Sequence, residues 1–383
     1  MWINLILILI TISLGLYYIQ FERINQYKMK PLLIEKKTRS ERKKYIIIIS
    51  LLLILQSGLR HVAVGPDTYA YYLMFEDIKS ISWEQAIYSV KEYFLFGIGK
   101  DPGYILFQKL FQIFINNYQI YLIFVAMIFF ISFGVLIYKN AYSIREIMFA
   151  FVLYSAMFYH FFSITGTRQT IATAASFWGF DFIKKKKLLP FIILIMLAST
   201  IHRSVLLFLP FYFLINLKKA NFIYKAAIFI FPLAMIYRKP LAIIMAKASG
   251  SGVYLNYALS DYKASAPIFT ALIILLVIVG LIFMRYALNL NPDVSPFYTA
   301  IALSFIFTPL IWVDPSFMRV VQYFSIFMVF FIPKIIDIVT LSDQRIKTAI
   351  YVCIYLILIF LVIKNGGEYK FFWQEMDLGE NYL

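Results

Sequence analysis

Thr165-Gly166-Thr167-Arg168-Gln169, Lys184-Lys185-Lys186-Lys187 and Ile201-His202-Arg203-Ser204 are three polar inserts in an otherwise apolar tract that runs from His160 to Ser204. A lysine run between two apolar segments marks a cytoplasmic loop, because the orientation of multi-pass proteins follows the excess of Lys and Arg in short cytoplasmic loops. The two outer inserts are therefore expected on the opposite face. Arginine near hydrocarbon is costly, roughly 2.5–3.5 kcal/mol at a helix centre on insertion scales. Residues kept there at that cost are expected to serve a site.

Composition agrees with a membrane chain. Of 383 residues, 62% are hydrophobic and only 15% charged, with a mean hydropathy of +0.78, which is too much apolar surface for a water-soluble fold of this length. The net charge of +16 would suggest nucleic acid in a soluble protein. Here much of the basic charge falls in short loops between apolar runs, where it sets topology and meets anionic lipid, so the partner is a phospholipid membrane and nucleic acid is discounted. The lone Cys353 allows neither an internal disulfide nor a cysteine metal site.

Taken in order, Trp2 to Phe21 reads as a retained helix rather than a cleaved signal, since no basic region precedes it. Residues 22–44 carry nine Lys or Arg and read as a basic cytoplasmic loop. Tyr45 to Leu59 then leads to an outer segment, 60–117, whose amphipathic stretches Thr68 to Ile78 and Trp83 to Phe96 suit helices lying in the interface plane. Gly103 to Asn116 is short and contains Gln108, Lys109 and Gln112, so it reads as interfacial or re-entrant. Glu146 to Ile164 should climb as one helix to the first insert. The short segments Thr170 to Ile183, Leu188 to Ile201 and Val205 to Leu217 imply broken helices around the inserts. A second outer loop, 237–266, contains a Ser249-Gly250-Ser251-Gly252 hinge and Tyr254, Tyr257 and Tyr262, which suit contact with sugar. Asp314 to Arg319 forms a further outer cluster. The expectation is an all-α, polytopic integral membrane protein with about twelve transmembrane helices plus interfacial or re-entrant helices, one transmembrane domain over residues 1–383 and both termini outside.

Absences narrow the function. No phosphate-binding loop is present, and no inner loop is long enough to fold a nucleotide-binding domain. There is no Asp-x-Asp pair, and His61, His160 and His202 lie far apart in sequence, so the expected chemistry uses no metal and no cofactor. What remains is a set of arginines on outer helix ends, Arg60, Arg168, Arg203 and Arg319. Planar guanidinium groups take phosphate oxygens bidentately, so converging arginines suit a pyrophosphate at the membrane surface. His202, at a helix break, is the leading candidate to accept a proton from a sugar hydroxyl, and Asp67 is the alternative. Arg168 and Arg319 are followed by the in-helix polar neighbours Gln169 and Gln322. Blander readings stand beside these: Arg203 as a residue snorkelling to headgroups, Asp67 as a helix N-cap, the tyrosines as an aromatic belt.

The ordered set of motifs resembles the EpsG-like branch of the bacterial Wzy-type polysaccharide polymerases. It comprises Gly58-Leu59-Arg60 with Gly65-Pro66-Asp67-Thr68 and Tyr71-Tyr72, Gly166-Thr167-Arg168-Gln169-Thr170-Ile171-Ala172, His202-Arg203-Ser204, and Arg319 with Tyr323-Phe324. The resemblance implies a glycosyltransferase of the bacterial cytoplasmic (inner) membrane with its active site on the outer, periplasmic face. Such an enzyme joins oligosaccharide repeat units carried on undecaprenyl diphosphate, and a chain-length regulator protein is a possible partner. A fold similar to the large membrane-embedded GT-C-type glycosyltransferases is also implied. The site would comprise His202, Asp67 and Arg168 as catalytic groups, with Arg60, Arg319, Arg203, Gln169, Tyr71 and Tyr323 binding substrate. An O-antigen ligase-like transferase would use the same groups, and a flippase for lipid-linked oligosaccharides is the alternative of another class. In a Cys353→Ser background, a cysteine replacing Gly250 should react with a membrane-impermeant thiol reagent in intact spheroplasts while one replacing Lys186 stays unlabelled; the reverse pattern would invert the topology.

Overall fold

A bilayer core offers backbone N–H and C=O groups no partners, so a chain this apolar must satisfy them within its own helices. In the computed structural model, which describes residues 2–26, 31–65, 67–96, 99, 101–248, 252–259, 266–340 and 343–376, helices are the only regular structure among the described residues apart from one antiparallel bridge between Arg60 and Phe371. Pro66, the Ser249-Gly250-Ser251 part of the expected hinge and Tyr262 lie outside the described residues, as does the Tyr254 side chain. Gly252 opens a short helix, Gly252–Leu259.

Among the described residues, five helices are long and apolar enough to cross a membrane, or up to seven if two bent pairs each count as one span. The other crossings of the twelve expected from sequence would fall to shorter apolar segments such as Leu188–Ile201, at 14 residues, under the ~20 that a straight span needs. By its contacts the chain divides into two compact units. The first comprises Met1–Ala86, Tyr104–Trp178 and Thr348–Leu383, and the second Ile87–Gly103 and Gly179–Lys347. All four boundaries fall inside continuous helices, Trp83–Phe96, Pro102–Phe114, Thr167–Lys184 and Gln344–Asn365, so no linker composition announces them.

In the first unit the Pro31–Gly58 helix lies along Tyr118–Asn140, with Trp2–Gln26 packed on Pro31–Gly58 and on Ile144–Met157. Gly58 makes the closest approach: a Cβ there would sit 2.8 Å from the Ile123 Cα. The core is aromatic, with Phe129, Phe133, Tyr154 and Phe177 in mutual ring contact. At one end, the Arg39 Nε donates to the Tyr138 hydroxyl at 2.7 Å and Arg42 donates to the Ala141 carbonyl, which places these two arginines at the Lys139 end of the unit. The expected single climb from Glu146 to Ile164 is instead a helix ending at Met157 followed by a π-turn, His160–Thr165. The i→i+5 bond from the Gly166 N–H to the Phe161 carbonyl, 2.7 Å, closes it.

In the second unit, Ala220–Ile236 packs on Ser295–Phe307 through a close stack of Phe231 on Phe305, 4.0 Å between centroids. Pro267–Leu290 joins them, the Tyr298 hydroxyl donating to the Gly280 carbonyl at 3.0 Å. Three breaks interrupt the helices. Ala220–Ile236 turns through 92° into Arg238–Lys247, and Pro315–Ser325 turns through 53° into Met328–Val339. The expected Val205 to Leu217 helix begins as a 3-10 segment, Arg203–Phe208, before Leu209–Asn216 continues as α-helix. Overpacking a tight contact typically costs ~1–3 kcal/mol, so Gly58→Val should lower the thermal midpoint of the purified protein by several degrees. Gly252→Ala, where nothing lies within 4 Å of the added Cβ, should leave it unchanged.

Candidate functional site

In the first unit Arg60 turns inward. It is 4% exposed, and its two terminal nitrogens donate to the Ser57 carbonyl at 2.6 Å and the Ile164 carbonyl at 3.2 Å. The Ser57 hydroxyl donates to the Ser163 carbonyl at 2.9 Å, and the Ser163 hydroxyl shares a 2.7 Å hydrogen bond with Tyr154. Arg60 thus ties the C-terminal end of one helix to the π-turn that precedes Arg168. Its geometry is that of a positioning residue. Gln119 completes the junction by donating to the Gly58 and Arg60 carbonyls.

That junction presents Arg168 on the first turn of the Thr167–Lys184 helix, half-buried, with its guanidinium over the rings of Tyr71, 5.5 Å, and Tyr104, 5.9 Å. Its Nε lies 3.4 Å from the Tyr71 hydroxyl, and Tyr71 meets Tyr104 edge-on at 6.0 Å. A helix N-terminus carries a partial positive charge, so a cation there is disfavoured by some tenths of a kcal/mol and an anion favoured. Arginine and helix end together therefore suit an anionic ligand. Gln169 is buried beside Arg168. Asp67 precedes the Thr68–Ser80 helix, and its side chain makes no capping hydrogen bond, which weakens the reading of it as a mere N-cap.

The second unit holds His202, Arg203, Arg319 and Tyr323. His202 is 2% exposed, and its Nδ1 lies 3.7 Å from an Asp101 carboxylate oxygen that is also buried. Sequence reasoning missed Asp101. Its signal is the Asp101-Pro102-Gly103 run: a Cβ on Gly103 would collide with Thr200, so only glycine lets this loop lie against the end of the Leu188–Ile201 helix, where His202 follows. Asp101 has a φ of 51°, a left-handed conformation that costs a non-glycine residue ~1–3 kcal/mol and clusters at functional sites. Arg203 lies over the Tyr93 ring at 5.3 Å.

Next to His202 in the chain, Arg203 and Ser204 line a cavity of about 230 Å³ together with Arg319 and Ser316. Its remaining wall is apolar and includes Leu206, Leu207, Met245 and Phe317. Tyr323 is fully buried, and its hydroxyl sits 3.1 Å from that of Ser204. The bend at Ile236 carries Met245 to the cavity, and the helix that starts after Asp314-Pro315 carries Arg319. Of the sequence-predicted residues, the fold brings Arg168 together with Tyr71 in one unit, and Arg203 with Arg319 in the other.

These features define a class: a multi-pass, all-helical membrane protein that sets guanidinium groups beside apolar wall at breaks in its helices. The chain belongs to the EpsG family, whose family model matches residues 43–374. No curated protein and no solved structure matches the chain.

The two arginines of the first unit should respond differently to substitution. Arg60→Leu leaves two buried carbonyls unpaired, ~1–3 kcal/mol each, and should lower the thermal midpoint of the purified protein. Arg168→Lys keeps the charge but loses the planar fork; it should melt like the parent and bind inorganic diphosphate, used as an anionic probe, more weakly in an equilibrium measurement.

Proposed function

We propose that the protein is a polysaccharide polymerase that transfers a growing glycan from undecaprenyl diphosphate to a sugar hydroxyl of another lipid-linked repeat unit, on the outer face of the cytoplasmic membrane. Family membership supports a polymerase-like glycosyltransferase role. The observation that carries the substrate is the cavity in the second unit, whose wall divides into two guanidinium groups with two hydroxyls and a continuous apolar remainder. A polyprenyl diphosphate divides in the same way, into an anionic head and a hydrocarbon tail. In this reading Arg203 and Arg319 take the diphosphate oxygens, and Leu206, Leu207 and Phe317 take the first isoprene units.

The chemistry follows from the neighbouring pair. The acceptor hydroxyl oxygen attacks the anomeric carbon of the donor, the bond from that carbon to the diphosphate oxygen breaks, and its electron pair leaves with the diphosphate-lipid. His202 accepts the hydroxyl proton, and the Asp101 carboxylate, 3.7 Å from Nδ1, stabilises the imidazolium that forms. Within the first unit, Arg168 with Tyr71 and Gln169 forms a separate candidate contact to substrate oxygens, and Asp67 is the alternative base. The scheme draws on side chains alone. It extends to a fold like those of the large membrane-embedded glycosyltransferases and to a chain-length regulator as protein partner.

Purified protein given lipid-linked repeat units and nothing else should produce a ladder of longer lipid-linked chains. Single-repeat product alone would reject polymerisation, and movement of the lipid across vesicles without elongation would make the protein a flippase. His202→Gln, which keeps polar bulk but takes up no proton near neutral pH, should slow the ladder on the order of 10²-fold with donor binding nearly unchanged. Asp67→Asn should retain more activity; the opposite ranking would hand the proton to Asp67.

A further inference from the structure

The first unit contains a cavity of about 330 Å³ at the end that carries Arg60, within the ~300–1,000 Å³ of ordinary small-molecule sites. Several separate elements build it. Asn4 comes from the first helix, Gln56 from the end of the second, Tyr159 and His160 from the start of the π-turn, and Glu368 and Tyr369 from the segment after the last helix. That last segment is fastened over the junction by backbone bonds from the His61 N–H to the Lys370 carbonyl, 2.8 Å, and from the Phe372 N–H to the Leu59 carbonyl, 2.9 Å. The Tyr369 hydroxyl donates to the Gln56 carbonyl.

The cavity differs from the arginine-lined one in its chemistry. No Lys or Arg is among its lining residues, and its polar side chains are amides, phenols, a serine hydroxyl, an imidazole and one carboxylate. Gln56 is 4% exposed, and neither the nitrogen nor the oxygen of its carboxamide has a hydrogen-bond partner among the described residues. The buried Tyr159 hydroxyl and the Asn4 carboxamide oxygen are in the same condition. An unmade hydrogen bond on a buried polar group is expensive, and protein interiors rarely tolerate one. Here three such groups, donors and acceptors both, line one cavity. A neutral polyhydroxyl ligand meets that demand, because each sugar hydroxyl both donates and accepts; an anion would leave the acceptors unmet.

We propose that this cavity, formed where Gln56, Tyr159 and Asn4 meet the segment around Glu368, binds an uncharged sugar unit of the glycan. The proposal rests on the reading of the protein as a polysaccharide polymerase and assigns the sugar portion of its substrate a place of its own. The Gln56 and Asn4 amides take paired hydroxyls, the Tyr159 hydroxyl bonds a third, and the segment around Tyr369 covers the ring.

The test measures binding to the full-length protein in lipid nanodiscs by calorimetry, using the free oligosaccharide released by mild acid from the host's own lipid-linked repeat units. Gln56→Leu and Tyr159→Phe should each weaken binding about tenfold or more while leaving the thermal midpoint unchanged or raised, since each removes a polar group that the fold does not pair. A merely structural role predicts the reverse, a lower midpoint with unaltered binding, and would overturn the proposal. So would displacement of the oligosaccharide by inorganic diphosphate, which would make the cavity an anion site, or failure of the parent protein to bind the oligosaccharide. The two readings fail separately. A protein that makes a ladder yet ignores the free oligosaccharide sinks this proposal alone; one that binds it through Gln56 and elongates nothing sinks the polymerase alone.

Discussion

A helix in hydrocarbon is held by the absence of any other partner for its backbone. It can therefore break only where a side chain takes over the released groups, and every feature of this protein that suits chemistry stands at such a break. The Arg60 guanidinium is the clearest case. Buried against the Ser57 and Ile164 carbonyls, it accepts the loose ends of two elements at once, so the chain can change direction beside the π-turn and start the next helix at Thr167. The charge that a membrane would penalise is spent on backbone oxygens. Arg168, one residue into that new helix, is left half-buried and turned toward two tyrosine rings.

The second unit solves the same problem with different residues. Gly103 lets the Asp101 loop lie on the end of the Leu188–Ile201 helix, and a short 3-10 segment takes the chain past His202 instead of an uninterrupted helix. Bent helices then bring Met245 and Arg319 to one cavity. Guanidinium and hydrocarbon thus share a wall because a broken helix has both a polar end and an apolar flank.

Much of this was legible in the sequence. Basic residues at the ends of apolar runs identified Arg60, Arg168, Arg203 and Arg319, and the short segments around His202 announced broken helices. The direction in which an arginine turns was not legible, since Arg60 and Arg168 follow equally apolar stretches and only the fold decides that one meets carbonyls and the other tyrosines. Asp101 had a local signal in the Pro-Gly that follows it. Gln56 stood in plain view as an amide ending a run of leucines and isoleucines, but its meaning depends on Tyr159 and on Tyr369, 313 residues away, and no periodicity reports pairing over such a span. The crossing number was not legible, because a run of 14 apolar residues reads the same whether it crosses or stops.

The bridge between Arg60 and Phe371 also bears on how the protein is made. The first unit receives its last helix, Gln344–Asn365, and the segment that follows it only after the whole of the second unit has left the ribosome. Until then the carbonyl of Leu59 and the N–H of His61 lack the strand-like partner that pairs them in the finished protein. Contacts of such high sequence separation form late, because the loop they close must be ordered first. The membrane therefore holds an open first unit for the length of synthesis, with a polar cavity lacking one of its walls. The polar cavity is thus completed by a segment made after every other element that lines it.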